Sequence, residues 1–150
     1  MYIEHQSVAS AWAREKPEHF ARVVQFCVAS ARTRFESVLH TMRHADSAGP
    51  FAAMPLARAR GWDHAWRRRD EVFHNCEEIA SRSRSRRERG EYLVRYLAML
   101  PGLGLVKAGF IAQIAYGAAG CLDTINCERL DLPPWFNGNS RYRMKMQLTP

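Results

Sequence analysis

The chain has little lysine, no paired cysteines, no alternating apolar pattern and no uninterrupted membrane-length apolar run. Each shortage excludes something. Cys27, Cys76, Cys121 and Cys127 are widely scattered and none forms a C-x-x-C pair, which argues against a zinc finger and for reduced thiols. The first ten residues, MYIEHQSVAS, carry neither a basic stretch nor an apolar core. The sequence therefore predicts no secretory leader and a cytoplasmic setting; a nucleoid, viral or mobile-element context suits the same make-up. Residues 97–122 alone approach membrane length, but Pro101, Gly102, Gly104, Lys107 and Gln113 interrupt them. They read as a buried helical pair, with no membrane partner expected. No segment alternates convincingly with period two and no repeat appears, so the expected fold class is all-α.

What is present is arginine. Of 22 basic residues, only Lys16, Lys107 and Lys145 are lysines, and the formal net charge is +7. Arg offers a planar fork suited to phosphate and guanine edges, and this charge balance favours a polyanionic partner. At 150 residues the chain can bury a real core as one domain. We place that helical domain at 1–132 and an irregular tail at 133–150, which carries Pro-Pro-Trp and Asn-Gly-Asn.

Three- and four-residue apolar steps predict the helices. A short one covers 6–15. A long one runs from Pro17 to about Ala45, with Phe20, Val24, Cys27, Val28, Ala31, Phe35, Val38, Leu39 and Met42 as its core stripe. Further helices are expected over 51–59, 62–80, 91–100 and 105–116, with a short final one to Leu130. Ser81–Gly90, SRSRSRRERG, reads as a basic loop or frayed helix end.

Residues 96–112, YLAMLPGLGLVKAGFIA, are the most informative stretch. They join two apolar helices through Pro101-Gly102-Leu103-Gly104. Two glycines there expose backbone N–H groups and let another backbone come close, and phosphate is a natural ligand for such a bend. The bland reading is a tight αα-corner.

The run LPGLGLVKAGFIAQIAYGAAGCLDT resembles the core of the helix-hairpin-helix DNA glycosylases, the superfamily of endonuclease III and adenine glycosylase. The resemblance covers 96–130 well, with the hairpin at 91–116; residues 51–95 match more loosely. Its matching features are Leu100 to Gly104, Ala108, Tyr116-Gly117 and Leu122-Asp123-Thr124. It implies that Pro101, Gly102, Leu103 and Gly104 hold a DNA phosphate, with Lys107 adding charge. It implies base flipping, and Asp123 as the catalytic carboxylate that stabilises the sugar cation or activates water. Asp-Thr before a helix is equally good N-cap chemistry.

The departures narrow the expected activity. Val106 stands where bifunctional members carry a nucleophilic lysine, and Lys107 lies about 100° further round the helix. A Schiff-base step is disfavoured and monofunctional hydrolysis of an altered base's N-glycosidic bond is favoured. The His common after Asp-Thr is Ile125, and the following Arg is Arg129, one residue late. No iron–sulfur motif is present, so no cofactor is expected beyond a monovalent cation at the hairpin. The alternative is a non-catalytic DNA-binding or architectural module that keeps this scaffold.

Arg67, Arg68, Arg84, Arg86, Arg87 and Arg129 are further candidate DNA contacts, against a solvated surface interspersed with Glu71, Glu77, Glu78 and Glu88. Trp62, Trp66 and Phe73 have helical spacing and are expected in the core, and Tyr116 likewise. Trp135 and Phe136 sit in the tail, where packing against the body competes with an exposed contact. His40 and His44 share a helix face but lack a third ligand, so no metal is expected.

Overall fold

The three- and four-residue periodicity becomes eight α-helices and no strand in a computed structural model, which describes residues 2–31, 33–120, 128–129 and 131. In chain order these are α1 (Tyr2–Ala13), α2 (Pro17–Ala29), α3 (Phe35–Ala48), α4 (Pro50–Ala53), α5 (Leu56–Arg67), α6 (Arg69–Arg82), α7 (Arg86–Ala98) and α8 (Leu105–Tyr116).

Helix α2 is the centre. Pro17 opens it, where a missing N–H costs nothing. It is buried nearly all round, through Phe20, Ala21, Val23, Val24, Gln25, Cys27, Val28 and Ala29, and packs against α1, α3, α5, α6 and α8. Phe20 meets Phe73 and Tyr116 edge-on, with ring centroids 5.9 and 6.2 Å away. Gln25 is the one buried polar side chain among the described residues. Its amide is satisfied: it donates to the Trp62 carbonyl at 3.3 Å and accepts from Arg22 at 2.9 Å.

The expected helix from 17 to 45 is two helices. The break at Ser30–Arg34 has a physical cause: the carbonyls that end α2 have better partners than another helical turn. The Lys107 ammonium donates to the Cys27 and Val28 carbonyls. Arg58 donates to the Ala31 carbonyl at 3.1 Å, and the Ser30 hydroxyl to Cys27 at 2.9 Å. Cations belong at this negative helix pole. As a result α3 turns away, and Leu39, expected in the core, is 45% exposed. Val38, Met42 and Ala45 keep the buried face, and Arg22 ties α3 back by a bidentate pair to Asp46 at 2.9 and 3.0 Å.

The expected helices 51–59 and 62–80 are likewise redrawn. Chain breaks fall at Met54–Pro55 and Arg68, so Gly61 lies inside α5. Trp62 is buried, but Trp66, expected in the core, is 42% exposed with the Arg69 guanidinium 4.8 Å over its ring. The first helix begins and ends earlier than expected, and α7 starts at Arg86, inside the segment read as a basic loop.

Helices α7 and α8 pack on each other around the 99–104 turn. Arg86 Nε donates to the Gly117 carbonyl at 2.7 Å, so the start of α7 meets the end of α8 and the pair is antiparallel. Gly117 is left-handed at φ 58°, and the N–H groups of Gly117 and Ala118 return to Gln113 and Ala112, a Schellman-type stop.

The turn is seated on α5. A Cβ on Gly61 would lie 2.5 Å from the Pro101 carbonyl oxygen, and one on Gly102 would lie 3.0 Å from the Ala57 oxygen and the Gly61 Cα. Gly61→Ala therefore forces backbone apart and should destabilise the protein by about 1–3 kcal/mol. Gly104→Ala, with nothing within 4 Å of its Cβ position, should leave stability nearly unchanged. Urea unfolding of the two variants checks this contrast.

Candidate nucleic-acid interface

The turn is built by ordinary local chemistry. The N–H groups of Met99 and Leu100 donate to Tyr96 and Leu97 as α7 ends, and Leu103 N–H returns to the Leu100 carbonyl at 3.2 Å. Gly102 takes φ 73°, a left-handed conformation that favours glycine. Gly104 is extended, at φ −133° and ψ −176°, and precedes α8 as its N-cap.

The two glycines thus have different tasks. The close backbone approach at Gly102 is made by α5 of the same chain. Gly104 faces open space, exposed beside an exposed Pro101. It presents the positive pole of α8, where an anion is favoured. Gly104, as N-cap, has no side chain of its own to cap that end.

Lys107, expected to add charge at the phosphate, points elsewhere: its ammonium is held by the α2 carbonyls. It ties the first turn of α8 to the end of α2. The far end of α8 is held by a second network. Glu77 accepts from Arg14 at 2.9 and 3.0 Å and from the Tyr116 hydroxyl at 2.9 Å, while Arg14 lies 4.8 Å over the Tyr116 ring. Ser10 donates to the Ala115 carbonyl at 2.6 Å. Burial pushes the Glu77 carboxyl up, but the hydrogen bonds from Arg14 and Tyr116 and the Arg14 charge outweigh it, so the net shift is downward. Burial, with the charges of Cys76 and Glu77, raises the Tyr116 hydroxyl. Burial also raises the Cys76 thiol, which keeps it inert.

The arginines fall into two groups, one at the end of α5, the other at the start of the thirteen-residue α7, about 20 Å from the turn at its far end. Arg67 and Arg68 end α5, paired with Asp63 at 3.0 Å and Glu71 at 2.8 Å. Such exposed pairs are worth at most about 1 kcal/mol and yield readily to a phosphate. Arg84, Arg86 and Arg87 stand at the opposite end of α7, exposed. Arg86 is on the Gly117 carbonyl, while Arg84 and Arg87 have no ion pair among the described residues. The structure does not bring these arginines to the turn. Arg129 is exposed.

Asp123, Trp135 and Phe136 lie outside the described residues. Beside the turn, Phe20, His64, Arg69, Leu100, Pro101 and Leu103 line a cleft of about 10 Å³, room for a single water and none for a base. His40 and His44 are exposed on α3. Among the described residues no group of three or more His, Cys, Asp or Glu could hold a metal, and no helix is long and apolar enough to cross a membrane.

One device escaped the sequence reading although its signal was present. Ser85-Arg86-Arg87-Glu88 is a capping sequence. Ser85 Oγ accepts from Glu88 N–H at 3.1 Å, and the Glu88 carboxylate accepts from Arg84 N–H at 2.6 Å. The alternation of Ser and Arg hid a helix start.

No protein-family model, curated protein or solved structure matches this chain.

The Glu77 anchor carries a pH signature. A lowered folded-state pKa gives stability that is present above the unfolded carboxylate value, about 4.3, and is lost as pH falls through the folded value. Glu77→Gln should lose at most about 1 kcal/mol at neutral pH, since the pair is partly exposed. The gap between wild type and variant should close as pH falls from 5 to 3. Thermal melts across that range check it.

Proposed function

We propose that the protein binds duplex DNA through its 101–104 hairpin, as a helix-hairpin-helix module. The observation that carries this reading is the open Gly104 backbone at the positive pole of α8, held rigidly by the Gly102–Gly61 seat. The net charge of +7 and the exposed Arg67 and Arg68 at the end of α5 support it. Lys107 acts in this reading as the tie between α8 and the end of α2, and phosphate is held at the exposed Gly104 backbone and by arginines.

Gly104 tests the reading cleanly, because its extended backbone suits any residue and a Cβ meets nothing. Gly104→Val should fold normally yet lose roughly tenfold or more in duplex affinity, as the branched side chain blocks a phosphate's approach to the turn. Lys107→Met should lower stability and leave the salt dependence of binding unchanged, whereas Arg67→Gln should reduce the salt slope by about 0.9. Fluorescence anisotropy on a blunt duplex reads both. Unchanged affinity in Gly104→Val overturns the hairpin as the binding site.

A second reading adds base excision. It is favoured by Leu122-Asp123-Thr124, nineteen residues beyond Gly104 and shortly after the Tyr116-Gly117 stop. Asp123 is then the carboxylate that stabilises the sugar cation as the base departs and water adds at C1′, without a lysine nucleophile: Val106 occupies that position and Lys107 is engaged on α2. Duplexes carrying uracil, mismatched, alkylated or oxidised bases should release one of these bases with wild type and not with Asp123→Asn. Release from none of them leaves DNA binding as the whole activity.

A further inference from the structure

A second cleft lies away from the hairpin, between α6 and α7. Glu78, Ile79, Arg82, Ser83 and Tyr92 line about 260 Å³ of open space, against the 10 Å³ beside the turn. Tyr92 is 49% exposed. Met99, 77% exposed, lies seven residues further on, two turns along the same face and about 10 Å away. It adjoins Pro101 of the hairpin.

The surroundings of the cleft are strongly basic. Residues 82–89 hold five arginines and one acid, Glu88. The Glu88 carboxylate is turned back onto the Arg84 N–H, so it helps start α7 and is taken up by the backbone. On the cleft wall Glu78 is bridged by Arg82 at 2.6 Å. Arg84 and Arg87 are exposed, with no ion pair among the described residues.

We propose that this cleft is a platform for an unpaired base of single-stranded DNA, which stacks on Tyr92 while Arg84 and Arg87 hold the adjoining phosphates. Aromatic stacking with flanking cations is how sequence-tolerant single-strand sites work. Every base offers a flat face, and the cleft is open on one side to accept it. Arg95, bridged to Glu91 at 2.7 Å, and Met99 continue this face toward the hairpin, so a strand leaving a duplex held at the turn reaches Tyr92 along α7. The proposal rests on nucleic acid being the partner, and it uses none of the turn residues 101–104.

Two probes keep the two sites apart: a short single-stranded oligo(dT) for the cleft and a blunt duplex for the hairpin. Wild type should bind oligo(dT). Tyr92→Ala should weaken that binding roughly tenfold, and Tyr92→Phe should restore it. Neither should change blunt-duplex affinity. Arg84→Gln with Arg87→Gln should lower the oligo(dT) salt slope by about 1.4, two single-strand phosphates. Wild type failing to bind oligo(dT), or Tyr92→Ala binding it equally well, overturns the proposal. Oligo(dT) binding that depends on Tyr92 with no duplex binding at all upholds the platform and removes the hairpin reading.

Discussion

Two glycine backbones in contact set the position of everything that could meet a ligand here. Gly61 in α5 and Gly102 in the turn approach so closely that a single added Cβ on either meets backbone at 2.5 or 3.0 Å. Side chains cannot relieve such an overlap, since the opposing atoms are backbone carbonyls and Cα atoms of the turn and of α5. The contact therefore fixes the angle at which α7 and α8 leave α5. It also divides the labour in the turn. Gly102 serves the fold, and Gly104 leaves its surface open.

The second constraint is the treatment of helix ends. Carbonyls at the end of α2 receive Lys107 and Arg58, and the carbonyl at the end of α8 receives Arg86. Each cation comes from a distant part of the chain, so each bond joins two helices while meeting an orphaned acceptor. Part of the positive charge is thereby structural. The part that remains outward, which includes Arg67 and Arg68 at the end of α5 and Arg84 and Arg87 at the start of α7, is what a polyanion would feel. Composition alone mixes the two populations and overstates how much charge is free to bind.

That distinction explains what was legible in the sequence. Fold class, the α7–turn–α8 unit and the Tyr116-Gly117 stop could be read because local rules dictate them: apolar spacing, Pro-Gly chemistry and a left-handed C-cap. The division of 17–45 into two helices could not. Nothing local forbids a helix through Ala29-Ser30-Ala31, and the break depends on cations supplied by residues 58 and 107. Lys107 was placed on the correct helix and given the wrong neighbour for the same reason: spacing fixes a face, and tertiary packing decides what that face meets. Ser85 was readable and overlooked, since composition drew attention away from the Ser-x-x-Glu spacing. At the candidate site, the turn residues followed from local chemistry, whereas Tyr92 as an exposed residue needed the fold.

Helix α7 relates these parts by its length. Thirteen residues separate its start from its end by about 20 Å, close to six base-pair steps at about 3.4 Å each. Arg84 and Arg87 are thus too far from Gly104 to share a phosphate with it, and any one strand contacting both ends must follow the helix between them. Along that path lie Met99 and Tyr92, both exposed. Between them lies Arg95, paired with Glu91. An exposed aromatic ring on a face that carries arginines suits a strand whose bases are unpaired more than the uniform backbone of a duplex. The bases can turn inward to the ring while phosphates stay with the arginines. Glu88, bound to the Arg84 backbone, starts the helix without forming an ion pair with Arg84 or Arg87.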